Sequence, residues 1–143
     1  VTGKFTGIFF IILFPIFFTS CGKEGQGQPD KLNGTWFGKE WLSWYTNYVT
    51  IQLDGHEKVT SYSSNAYAPY TCGSVSLNCE GSGSYTFKDS TGEFSMHASL
   101  NCKCGSVKTT AVNRDDLIGH LIDDNTLEGE LPGGALSFKF TRL

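Results

Sequence analysis

From residue 32 to the C-terminus, no stretch holds apolar residues at the 3.6-residue helical spacing over three turns. The chain breaks instead into short alternating, β-branched or aromatic runs separated by turn signals. The clearest runs are Thr35–Trp41, Tyr48–Leu53, Lys58–Ser63, Gly83–Lys88, Gly92–Cys102, Ser106–Asn113, Leu117–Ile122, Thr126–Leu131 and Ala135–Arg142. Side chains alternate along a strand, so Val49, Ile51 and Leu53 share a face, as do Phe94, Met96, Ala98 and Leu100, and Leu136, Phe138 and Phe140. Asp54-Gly55 marks a tight hairpin, because glycine takes positive φ without steric cost. Asp89–Gly92, Asp123–Thr126 and Pro132–Gly134 mark three further reversals. Asp115–Ile122 also fits a short helix capped by Asp115, but Gly119 and the turn that follows favour a strand.

Short strands joined by hairpins leave edges that must be hidden, and closure hides them completely. The expectation is an all-β domain over residues 32–143, an eight- to nine-stranded antiparallel up-and-down β-barrel, with a sandwich as the alternative. Composition agrees with a folded domain rather than a polyelectrolyte: 17% of the 143 residues are charged, against about 25% in an average globular chain. The net charge of -3, with no cluster of Lys or Arg, removes the footprint that nucleic-acid binding requires.

The first residues follow a different logic. One cation, Lys4, precedes the apolar run Ile8–Phe18, and small residues follow before Cys21. That order is a secretory signal peptide over residues 1–20. The run is too short for a membrane-spanning helix, which needs about 20 apolar residues, and Pro15 interrupts it. Residues 21–31 are rich in Gly and Gln and read as a flexible tether.

Phe18-Thr19-Ser20-Cys21 resembles the lipobox of bacterial lipoproteins, with Phe18 where Leu is usual and small Ser20 directly before the cysteine. The resemblance implies that Cys21 carries a lipid anchor and becomes the new N-terminus, with secretion and nearby cleavage as the alternative. Several acyl chains, palmitate among them, would make that anchor stable. Gly22 in place of the Asp that retains lipoproteins in the inner membrane implies the outer membrane, on its periplasmic or surface side.

Asn33-Gly34-Thr35-Trp36 near the domain's start resembles the Gly-x-Trp signature of lipocalin-like (calycin) barrels. The resemblance implies that Trp36 plugs the closed end and that Arg142, from the last strand, stacks over it. It covers the two ends of the domain and not the middle, and the second lipocalin motif, Thr-Asp-Tyr, is absent. The avidin branch is excluded by the lack of tryptophans after Trp44 to wall a biotin pocket.

With Cys21 assigned to lipid, Cys72, Cys79, Cys102 and Cys104 remain. An even number in an exported domain reads as two disulfides. Cys102 and Cys104 lie on one face of a strand, so each pairs with a partner on a neighbouring segment. The pairings are 72–104 with 79–102, preferred for an antiparallel neighbour, or 72–102 with 79–104. A four-thiolate zinc site is the alternative, but the spacing is not that of zinc ribbons.

Catalytic constellations are missing from the sequence. His56, His97 and His120 share no metal spacing, and no nucleophile elbow, phosphate loop or dinucleotide fingerprint is present. Neither a cofactor, a metal nor an enzymatic activity is expected. Candidate contacts for a ligand or partner are Trp41, Trp44 and Tyr45, which crowd one segment, and His120, placed between Ile118 and Ile122 as a polar group of an interior cavity. Ser82-Gly83-Ser84-Tyr85 resembles the Ser-Gly-x-x-Tyr loop of membrane-bound lysozyme inhibitors, with one residue fewer, and makes Tyr85 a further candidate. The expected function is therefore a lipid-anchored, non-catalytic envelope module that binds a small apolar ligand or an envelope partner. An inhibitor of an envelope-directed hydrolase such as lysozyme is the alternative.

Overall fold

The computed structural model describes residues 28–41, 46–130 and 137–143, with the backbone alone at 70 and 108–116. Cys21, Trp44, Tyr45 and the Pro132–Gly134 turn lie outside the described residues. Eight strands run in chain order: β1 Gly34–Trp41, β2 Thr46–Leu53, β3 Lys58–Tyr67, β4 Ser76–Lys88, β5 Glu93–Cys104, β6 Val107–Asp123, β7 Thr126–Glu130 and β8 Ser137–Arg142. Each pairs antiparallel with the next, and β8 returns to β1 from Trp36↔Arg142 to Trp41↔Ser137, closing an up-and-down barrel. A closed sheet leaves no edge on which another chain can template a strand.

Two segments depart from the sequence expectation. Ser106–Asn113 and Leu117–Ile122 are one strand, β6, because its interruption is a bulge and not a turn: Met96 pairs with Leu117 and Ala98 with Arg114, so β6 carries one extra residue there. The gap left between the expected runs Lys58–Ser63 and Gly83–Lys88 is largely strand as well. β3 continues to Tyr67 and β4 begins at Ser76, leaving a four-residue helix, α1 (Pro69–Cys72), between them.

Period-two burial fills the interior. Val49, Ile51 and Leu53 point inward from β2, Phe94, Met96, Ala98 and Leu100 from β5, and Phe138 and Phe140 from β8. Large rings are accommodated where the neighbouring strands carry no side chain. A Cβ added at Gly119 or Gly129, which pair across β6 and β7, would lie 2.6 or 2.7 Å from the Phe138 ring. Alternation of small and large inward residues is how a small barrel fills its taper.

The lower end, which carries the β2–β3, β4–β5 and β6–β7 turns, is sealed. Trp36 is fully buried there and donates its indole N–H to the Leu32 carbonyl at 2.9 Å. Arg142 lies 4.6 Å from the Trp36 ring centroid. Asp30 belongs to this seal as well: its backbone N–H donates to Gly55 O, and its carboxylate accepts from the Leu32 N–H and the Tyr85 hydroxyl. The chain therefore enters the barrel at its lower end.

Both disulfides form in the preferred pairing, Cys72–Cys104 and Cys79–Cys102. Cys79 and Cys102 face each other across β4 and β5 and are buried in the core, whereas Cys72–Cys104 ties α1 to the end of β5.

Candidate functional site

The upper end is built differently from the lower. It carries the segments between β1 and β2, β3 and β4, β5 and β6, and β7 and β8. Four large apolar side chains are exposed on it: Trp41 at 43%, Tyr67 at 60%, Val75 at 42% and Val107 at 67%. The Cys72–Cys104 bond holds two of these segments together, and Val75 packs over Gly105 of the β5–β6 turn. Exposed apolar side chains gathered at one end of a domain are characteristic of contact surfaces. Trp41 also borders a depression of about 430 Å³ against Glu128, Glu130, Ser137 and Lys139.

Below this rim the interior turns polar. Glu40 is fully buried, accepts from Asn47 Nδ2 at 3.0 Å and lies 3.5 Å from the Tyr62 hydroxyl. Buried carboxylates persist only where hydrogen bonds replace water, and this one is held from β2 and β3 together. Alternation from Trp36 through Gly38 assigns Glu40 to the inward face of β1, so the signal was present in the sequence. Sequence reasoning passed over it because a lone Glu on a strand reads as solvated.

Two candidate contacts are corrected. His120 is exposed on the outer face with Ile118 and Ile122, because the inward residues of lower β6 are Leu117, Gly119 and Leu121. Gly119 faces the inward Phe138, whose ring would lie 2.6 Å from an added Cβ, and the parity is the reverse of the one assumed for Ile118 and Ile122. Tyr85 is likewise not on an exposed loop. Ser82–Tyr85 lies inside β4, and Tyr85 is buried against Phe94, with ring centroids 5.9 Å apart. Its hydroxyl donates to Asp30 Oδ2 at 2.8 Å. Burial first, and then that hydrogen bond, pushes the phenol well above the usual tyrosine range.

Comparison with family models, curated proteins and solved structures finds no match to this chain. The site is therefore read from its own geometry.

That geometry brings Trp41 to the rim and places His120 and Tyr85 elsewhere. Among the described residues, no group of three His, Cys, Asp or Glu side chains is arranged to hold a metal ion. The same residues include no helix long and apolar enough to cross a membrane, which has no bearing on strands.

The outer face of β1 to β4 went unnoticed in the sequence. Phe37, 42% exposed, and Tyr48, 47% exposed, stand beside Asn65, Asn78 and Glu80 around a groove of about 270 Å³. Alternation marked these positions as outward but said nothing of their neighbours on the adjacent strands, which the register between strands decides.

Proposed function

We propose that this protein is a non-catalytic binding module of the cell envelope, anchored through an acylated Cys21 and engaging an envelope partner with the upper rim of a lipocalin-like barrel. The observation that carries this reading is the opposition of the two ends. The segment that follows Cys21 joins the barrel at the sealed lower end, while Trp41, Tyr67, Val75 and Val107 are exposed at the other. A chain tethered from below presents this rim away from the membrane surface.

The Trp36–Arg142 closure supports the lipocalin-like part of the reading, and the signal-like residues before Cys21 support the anchor. Of the two kinds of occupant, the envelope partner is the better supported. A buried Glu40 held by Asn47 makes the upper interior unfavourable for a small apolar ligand. The hydrolase-inhibitor alternative loses its sequence support with the burial of Tyr85.

The anchor is tested by fractionating cells that express the full chain or its Cys21→Ser variant. Release of the variant from the membrane fraction is expected, and unchanged retention would remove the anchor. The rim is tested by cross-linking in intact envelopes followed by mass spectrometry. Trp41→Ser and Tyr67→Ser should each reduce capture of a partner that the parent chain captures, while Ile118→Ser, on the lower outer face, should not.

A further inference from the structure

Two lines of side chains cross the outer face of β1 to β5 at right angles to the strands. Strand register sets Phe37, Thr50, Ser63, Glu80 and Asn101 side by side in the first. It sets Lys39, Tyr48, Asn65, Asn78 and Lys103 in the second. Neighbouring strands lie about 4.8 Å apart, so each line spans roughly 20 Å. Two grooves, of about 270 and 610 Å³, share Asn78 and Glu80 and make the strip continuous from Phe37 to Lys103.

The chemistry along the strip is ordered. At one end Phe37 and Tyr48 are diagonal neighbours on adjacent strands, and both are exposed. The Lys39 ammonium lies over one face of the Tyr48 ring, 5.4 Å from its centroid. In the middle, Asn65 Nδ2 donates to Asn78 Oδ1 at 2.6 Å, which fixes the two amides edge to edge. That pair keeps the Asn65 carbonyl oxygen as an acceptor, with one N–H of Asn65 and both of Asn78 as donors, and is flanked by Ser63, Glu80 and Asn101.

Charge narrows the occupant. The strip holds two lysines at its ends and Glu80 between them, which is too little positive charge to hold a polyanion. Its apolar surface is confined to two rings, so it lacks the contiguous apolar centre of a stable protein interface. Aromatic faces beside fixed hydroxyl, amide and carboxylate groups match a molecule with an apolar C–H face and hydroxyls that both donate and accept. A sugar ring has that form.

We propose that this strip is a carbohydrate-binding site that takes a linear, uncharged or N-acetylated oligosaccharide laid across the strands. One sugar stacks on Phe37 and Tyr48, and the next hydrogen-bonds to the Asn65–Asn78 pair and Glu80. The site is separate from the upper rim and stands on its own observations.

The test uses the full chain in a zwitterionic detergent without a sugar headgroup. It is applied to an array of linear neutral and N-acetylated hexasaccharides, with heparin fragments as the anionic control, and the strongest hexasaccharide is then titrated calorimetrically. Binding to at least one hexasaccharide is expected. Phe37→Ala and Tyr48→Ala should each weaken it roughly three- to tenfold, the effect of losing one aromatic contact. Asn78→Ala should weaken it as well, and Ile118→Ser should leave it unchanged. All four side chains are exposed, so unchanged melting temperatures will separate binding from folding.

The proposal is overturned if no hexasaccharide binds, or if binding survives in the Phe37→Ala/Tyr48→Ala double variant. Preference for heparin would overturn it in favour of an anionic ligand. Capture of an envelope protein that depends on Phe37 and Tyr48, with no sugar bound, would overturn it in favour of a protein interface.

Discussion

Arg142 covers the fully buried ring of Trp36 at 4.6 Å and, with the same guanidinium, binds three backbone carbonyls from two separate segments. Nε donates to Asp124 O at 3.0 Å, Nη1 to Asn33 O at 2.7 Å, and Nη2 to Lys31 O. The last strand thus secures both the segment that enters the barrel and the β6–β7 turn. Planar, forked donors suit this arrangement in a way that an ammonium does not.

Removal of the fork should therefore loosen the seal. Arg142→Ala is expected to lower stability by about 2–3 kcal/mol, the sum of a stacking contact and charge-assisted hydrogen bonds at a partly exposed site. Arg142→Lys, which keeps the charge but not the fork, should fall between it and the parent. Urea midpoints at constant m-value check this, and an unchanged midpoint in Arg142→Ala would show that Trp36 seals the end unaided.

The parts of the fold that were legible in the sequence are those where one strand carries its own alternation. Val49, Ile51 and Leu53 announce β2 without help from any neighbour. The first half of β4 does not: its inward positions include Gly81 and Gly83, and the apolar cover comes from Leu100 and Ala98 on the strand opposite. The continuity of β6 was hidden for a related reason, since a bulge between Arg114 and Leu117 interrupts alternation just as a turn does. Candidate sites suffered more than strands. His120 was assigned by parity from Ile118, whereas Gly119, and not Ile118, faces the inward Phe138. The Phe37–Asn101 line could not be seen at all, because register between strands is set by turns and bulges rather than by composition.

A Cβ at Gly119 or Gly129 would meet a backbone oxygen of the paired strand as well as the Phe138 ring, so part of the cost of adding one should depend on that ring. Gly119→Ala and Gly129→Ala should each destabilise by roughly 2–3 kcal/mol, as overpacking of a filled core does. In a Phe138→Leu background the cost of Gly119→Ala should shrink, giving a coupling above about 0.5 kcal/mol in a double-mutant cycle. Additive effects would show that the backbone approach, and not the ring, excludes the methyl group.

The two disulfides differ in their access to reductant. Cys79 and Cys102 are 7% and 3% exposed inside the barrel, whereas Cys72 and Cys104 are partly exposed at the upper end. Mild phosphine followed by alkylation and peptide mapping should label Cys72 and Cys104 first. With sequence separations of 32 and 23, the bonds should each contribute about 3–4 kcal/mol by loop closure. A non-reduced peptide map that links 72 to 102 and 79 to 104 would refute the pairing.

Tyr85 and Asp30 give the seal a dependence on alkaline pH. Burial and the Asp30 hydrogen bond hold the folded phenol's pKa above its unfolded value of about 10. A raised folded value means that this contribution is fully present below pH about 10 and is lost as pH rises further, because the unfolded chain releases the proton first. Lys31, Lys88 and Lys139 titrate in the same region, each held up by a hydrogen bond to a carboxylate, but they do so equally in a Tyr85 variant. At neutral pH, Tyr85→Phe should cost about 1 kcal/mol for the lost hydrogen bond. Between pH 9 and 11.5 its stability should fall less steeply than that of the parent, so the two curves converge. Urea unfolding of both proteins across that range measures the difference, and parallel curves would mean that Tyr85 ionises as readily in the folded state as in the unfolded chain.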